Sequence, residues 1–200
     1  MIQIDVRADL KRMTDRLTDV QKQQVPYATS VALNKTIRDL QQIEKSGMPE
    51  DIDRPTRFTV SGIQYKKSTK ANLEAKVFIE QKRAEYLQWT VHGGTRKPRR
   101  KVLIIGLTER NQYGNTPGFR QFRTRLLAKK HHFEATMGTT HGIWKRIGKQ
   151  RNDIQLVALY SRQADYTKTY RFGRRAFRSA GGLFRKYFTA AIETAIASPR

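Results

Sequence analysis

H-G-I-W-K-R-I-G-K-Q-R-N-D-I-Q-L-V-A-L-Y, residues 141–160, is the stretch on which the reading of the fold turns. It predicts a β-hairpin. Ile143 and Ile147 are apolar and Trp144 is a large anchor of low conformational entropy. Gly142 and Gly148 allow unusual backbone angles. Lys149 to Asp153 supply a polar turn, and Ile154 to Tyr160 form a β-rich run whose two faces are both largely apolar. Such a hairpin belongs in a sheet, with its charged tip in solvent or against a partner. It holds no nucleophile paired with a base, and its chemistry is packing plus positive charge. Trp144, Ile147 and Leu156 are its expected structural anchors.

After the hairpin, Tyr166, Tyr170 and Phe172 are interleaved with basic residues in Y-T-K-T-Y-R-F-G-R-R (166–175). Aromatic and basic side chains in alternation can stack on bases and hold phosphates. Packing on the sheet beside an arginine-rich surface is the preferred reading. A last helix is expected to begin near Ala180–Gly182, with Leu183, Phe184, Tyr187, Phe188, Ala191, Ile192, Ala195 and Ile196 at helical spacing. Phe184 and Phe188 are its anchors against the sheet.

Before the hairpin, Phe119, Phe122, Leu126 and Leu127 share one face of a short helix, with Arg120, Arg123, Arg125, Lys129 and Lys130 between and after them. Residues 128–140 show little apolar periodicity. Together with the polar stretch from Glu109, they read as a long excursion at about 109–140. Val102 to Leu107 reads as a buried strand, preceded by a basic loop of Lys97, Arg99, Arg100 and Lys101. Glu85 to Val91 suits a short helix ended by His92 and Gly93-Gly94. Phe58, Val60 and Tyr65, then Ala75, Val77 and Ile79, read as a hairpin with Lys66, Lys67 and Lys70 at its tip. Those lysines either guard an exposed edge or meet phosphate or an acidic neighbour.

Towards the N-terminus, Pro26 is expected to begin a helix with Leu33, Ile37 and Leu40 on its inner stripe, ending near Gly47 because Pro49 follows. Asn34 on it reads as an exposed or helix-bridging amide. Asp9 can cap an earlier helix bearing Leu10, Met13, Leu17 and Val20. Ile2, Ile4 and Val6 alternate as a short strand.

The fold class is therefore α+β: a mixed or antiparallel sheet packed by N-terminal helices and a C-terminal helix, with extended basic loops. Length suits a single domain over 1–200. The chain carries 40 Lys and Arg against 17 Asp and Glu, a formal charge of +23. That excess predicts a polyanion nearby, DNA or RNA or an acidic protein surface. The hydrophobic fraction of 38% affords only a modest core,. Cysteine is absent, which excludes disulfides and thiolate metal sites,. No apolar run approaches bilayer length, and M-I-Q-I-D-V-R lacks a signal-peptide core, so a soluble protein is expected.

Catalytic signatures are missing from the sequence. H-E-x-x-H, G-x-S-x-G, G-x-G-x-x-G and the P-loop spacing do not occur. His131 and His132 are adjacent, so a regular helix or strand would not aim both at one ion. No metal, no cofactor and no enzyme activity are expected. Candidate contacts to nucleic acid or an acidic partner are Lys97, Arg99, Arg100, Lys101, Arg120, Arg123, Arg125, Lys129, Lys130, Arg171, Arg174 and Arg175.

Several short motifs, in order, resemble one family. They are A-L-N-K-T (32–36), the turn Gly94-Thr95 after an aromatic segment, L-I-I-G (103–106), P-G-F (117–119) and G-I-W-K-R-I-G-K (142–149). Their sequence is similar to that of minor tail proteins of the Z type from tailed phages, within the wider group of tail-completion and neck proteins. The resemblance implies a virion protein at the head–tail junction or upper tail, assembled in the host cytoplasm. It implies a ring of copies, portal, connector or tail proteins as neighbours, and a face on the packaged DNA. A sequence-independent nucleic-acid-binding protein outside the virion is the alternative. A nuclease is a third reading.

Overall fold

The computed structural model describes residues 2–3, 19–98, 102–108 and 119–197. Five helices and nine strands are seen among them, all strand pairs being antiparallel. The class is α+β, as expected. Where length alone suggests one domain, the chain sorts into two compact units, residues 1–87 with 170–200, and residues 88–169.

The first unit is built on two long helices. α1 runs Asp19–Asp51 and α5 runs Arg174–Ala197. Ala28, Ala32, Leu33, Ile37, Leu40 and Met48 of α1 are fully buried, as are Phe184 and Phe188 of α5 to within 1%. Each large side chain so buried contributes about 1.5–3 kcal/mol. The Phe184 and Phe188 rings stack at 5.7 Å. Glu44 meets Ala176, and the Tyr187 hydroxyl donates to Asp39, so the two helices run antiparallel. The principal partner of the C-terminal helix is thus α1.

Both ends of α1 differ from expectation. Pro26 lies inside it rather than at its start, and Pro49 lies in its last turn. A proline removes one backbone donor and crowds the preceding turn, at about 3 kcal/mol. The continuous buried stripe from Ala28 onward offsets that cost. Pro49 forfeits only its own N–H, because Ile52 N–H still reaches Met48 O at 2.9 Å. The expected Asp9 helix lies outside the described residues except for Val20, which is in α1, and Ile4 and Val6 are also outside them.

α2 (Arg57–Ser61) replaces the strand expected around Phe58 and Val60. Thr56 Oγ1 accepts the Thr59 N–H at 3.1 Å as an N-cap, and Gly62 closes the turn. This local capping overrides the β-propensity of Phe58-Thr59-Val60. β2 (Ile63–Lys66) and β3 (Lys76–Ile79) then pair as expected, and β1 (Ile2–Gln3) adds to the far side of β3. The lysine-rich tip therefore hangs on an edge strand. Gln41 Nε2 donates to Ile63 O at 2.7 Å, which ties α1 to β2. Asn34 is the bridging amide: it accepts the Ser68 N–H at 2.8 Å and donates to Ser68 O at 3.1 Å.

α3 (Gln81–His92) carries the chain across the boundary between the units. In the second unit, β4 (Gly94–Arg96) pairs with β9 (Ala164–Tyr166). A four-stranded sheet has the order β5-β8-β7-β6. Its strands are β5 (Leu103–Gly106), β6 (His132–Met137), β7 (Thr140–Arg146) and β8 (Ile154–Ser161). The deciding hairpin is β7–β8, with a bulge at Ile143/Trp144. α4 (Phe119–Leu127) lays Phe122 and Leu126 on Ile143, Val157 and Ala158, forming this unit's core.

The sheet corrects two expectations. Residues 128–140 are not an excursion but contain β6, joined to β7 by a two-residue loop in which Gly138 takes φ +59°. Positive φ at that position is what tight hairpins require, and glycine meets it without strain. β5 is an edge strand, half-buried rather than buried, and Leu107 beyond it is 43% exposed. Residues 109–118 lie outside the described residues.

Candidate functional site

The start of α5 holds the densest group of arginines in the first unit. The segment Tyr170–Gly173 sets it up. Tyr170 is completely buried beside the Phe172 ring at 5.9 Å, and Gly173 takes φ +86°. That fixes Arg171 just outside the helix and Arg174, Arg175 and Arg178 within its first turns. Tyr170 is therefore core, and stacking on bases through it is excluded by its burial. α5 begins at Arg174 rather than near Ala180–Gly182, because anchoring at Tyr170 and capping from α1 extend it backward.

The capping group is unusual. Glu44 is fully buried on α1, and its Oε1 accepts the Ala176 N–H at 3.1 Å. A carboxylate at a helix N-terminus satisfies an orphan donor and complements the positive end of the helix dipole. Glu44 Oε2 and the Tyr170 hydroxyl are buried without a hydrogen-bond partner among the described residues. Burial, with the neighbouring Glu44 and Asp51, pushes the Tyr170 phenol above its usual range.

Arg171 and Arg175 converge on Asp51, whose side chain is 1% exposed. Arg171 donates to Asp51 from Nη2 at 2.8 Å, from Nε at 3.1 Å and from its backbone N–H at 3.2 Å. Arg175 donates from Nη1 to Asp51 at 2.7 Å and from Nη2 to Glu50 at 2.8 Å. The Arg175 hydrogen bond, reinforced by Arg171, holds the Asp51 carboxyl well below the ordinary range despite its desolvation. Gly47 makes this possible: a Cβ there would lie 2.6 Å from Arg175 Cδ. These two arginines are structural ties between α1 and α5.

Arg174 and Arg178 are different. Both are exposed, and neither guanidinium has a partner among the described residues. With Arg171, Arg175 and Glu50 they line an open cleft of about 190 Å³. The expected contacts Arg171, Arg174 and Arg175 are thus brought together, and Arg178 joins them. Its signal in the sequence is its place four residues after Arg174.

The remaining expected contacts sit elsewhere. Lys97, Arg125, Lys129 and Lys130 are exposed in the second unit. Arg123 there is tied to Glu134 through Nε at 3.1 Å. Arg120 is described by its backbone alone, in α4, and Arg99, Arg100 and Lys101 lie outside the described residues. Among the anchors, Phe184 and Phe188 are buried as expected, and Leu156 is half-buried. Trp144 is half-buried and donates its indole N–H to Ala135 O at 3.1 Å. Ile147 is no anchor, being 63% exposed, because it lies beyond the end of β7 where the chain enters the turn.

Among the described residues, no group of three His, Cys, Asp or Glu side chains is placed to hold a metal ion. No described helix is long and apolar enough to cross a membrane. Compared with protein-family models, curated proteins and solved structures, the chain matches none.

Proposed function

We propose that this chain is a structural protein of a tailed-phage virion, placed at the head–tail junction or upper tail. It acts by assembly, as one copy in a ring, with basic surface turned to the DNA path. The observation that carries the polyanion is the charge of +23 together with exposed Arg174 and Arg178, which no carboxylate among the described residues neutralises. Such self-repulsion disfavours a compact fold unless an outside anion balances it. The phage assignment rests on the order of short motifs from A-L-N-K-T to G-I-W-K-R-I-G-K. A closed ring uses two different faces of each copy. Exposed Phe58 and Phe177, at 55% and 77%, are apolar surface that subunit or neighbour contacts would cover,.

No catalytic step enters this reading. Phosphate contact by arginine is independent of base sequence and weakened by salt. Electron microscopy of particles made with and without the gene tests the proposal. Filled heads separate from tails, or heads with defective tails, are expected in its absence. Normal infectious particles would contradict it and favour a nucleic-acid-binding protein outside the virion.

A further inference from the structure

α5 presents a second feature beyond the cleft. Arg174, Arg178 and Arg185 fall on one ridge, at relative positions 0, 4 and 11 of a helix with 3.6 residues per turn,. All three are exposed and none of their guanidinium groups has a partner among the described residues. The ridge spans about 16 Å of helix axis at roughly 1.5 Å per residue. No acidic residue interrupts α5 before Glu193.

Between Arg178 and Arg185 lie Gly181 and Gly182. Both are exposed, and a Cβ at either would meet nothing within 4 Å. Neither glycine is needed for packing among the described residues. Two glycines in a helix interior cost about 1 kcal/mol each relative to alanine. What they create is a stretch of bare backbone flanked by arginines whose guanidinium groups have no partner among the described residues, where a bulky polyanion can approach closely.

We propose that the ridge Arg174–Arg178–Arg185, with the cleft at its foot, is a docking face for the phosphate backbone of duplex DNA, which rests on reading the chain as a DNA-facing protein and names the surface that does the facing. Charge complementarity selects the occupant. Arg171 and Arg175 are already committed to Asp51 and Glu50, and hold the ridge in place. Three guanidinium groups line the ridge against one exposed ring beside it, Phe177, and a row of charge without a row of rings suits a backbone more than unstacked bases.

The test uses the full chain and a short duplex of arbitrary sequence, followed by fluorescence anisotropy across a salt series. Arg174→Gln/Arg178→Gln/Arg185→Gln is expected to lower the slope of log K against log salt by about 3, at roughly 0.9 per phosphate contact. Gly181→Leu/Gly182→Leu fills the bare stretch with good helix formers. It is expected to leave the melting temperature unchanged or higher while weakening binding tenfold or more. Unaltered duplex binding by either variant overturns the proposal. So does a wild-type chain that binds only single strands, or only an acidic peptide. Duplex binding that fails in the variants while particles lacking the gene are normal would remove the virion role and leave the docking face standing.

Discussion

Glu44 on α1 accepts the backbone N–H of Ala176 on α5 at 3.1 Å, across 132 residues of sequence. The N-terminus of the last helix is therefore capped by a side chain from the first. Glu44→Gln keeps an acceptor oxygen at that position, whereas Glu44→Ala leaves the Ala176 donor buried and unpaired. Glu44→Ala is expected to cost about 2–3 kcal/mol, and Glu44→Gln less than half of that. Urea unfolding of the two variants beside the wild type measures the difference. Equal losses would show that the cap contributes little.

Asp51 predicts an acid sensitivity. Its folded-state carboxyl is held below its ordinary value of 3.8 by Arg175 and Arg171. The unfolded chain therefore takes up the proton first as pH falls. The stabilisation is complete above about pH 5 and is lost progressively through pH 4 and below. Asp51→Asn is expected to destabilise by about 2 kcal/mol at neutral pH, from the lost charge-assisted hydrogen bonds. The gap to wild type should narrow in strong acid. Denaturant midpoints collected from pH 7 to pH 3 follow it, and a gap that stays constant would refute this role of Asp51.

Gly142 is set against β8. A Cβ there would lie 2.2 Å from the Ala158 carbonyl oxygen, inside the hairpin that carries Trp144. Gly142→Ala is expected to cost about 2 kcal/mol or more, because the strands must separate next to the bulge. Trp144 fluorescence during unfolding reports this region, and a wild-type midpoint would contradict the close approach.

Two apolar side chains that the sequence presents as equal anchors should behave unequally. Phe184 is 1% exposed and stacks on Phe188, whereas Ile147 is 63% exposed. Phe184→Ala is expected to cost about 3–5 kcal/mol. Ile147→Ser should stay within about 0.5 kcal/mol. Thermal melts of the two variants decide it.

Periodicity makes the β7–β8 hairpin, the Phe122/Leu126 face and the Phe184/Phe188 stripe legible in the sequence. Each is a local pattern whose apolar residues repeat at the period of the element that buries them. Local rules fail where distant partners intervene. Pro26 and Pro49 signal helix ends, yet the buried face they flank outweighs them. The strand His132–Met137 escapes a periodicity reading because its alternation is weak, although the Gly138-Thr139 loop after it is a usable hairpin signal. At the candidate site, the arginine cluster is visible in the sequence but its division of labour is not. Nothing local says that Arg171 and Arg175 are tied to Asp51, 120 and 124 residues away, while the guanidinium groups of Arg174 and Arg178 have no partner among the described residues. The glycines of α5 read as a helix start, and only the three-dimensional surroundings reveal them as an open stretch within it.

Incorporation of the chain into the particle is what the proposed function requires. Quantitative mass spectrometry of purified particles addresses it most directly, by counting copies of this chain against the portal or tail proteins. A fixed number of several copies per particle is the predicted result, surviving high-salt washing once the ring is closed. Absence from purified particles, with the chain abundant in the infected cell, would contradict it.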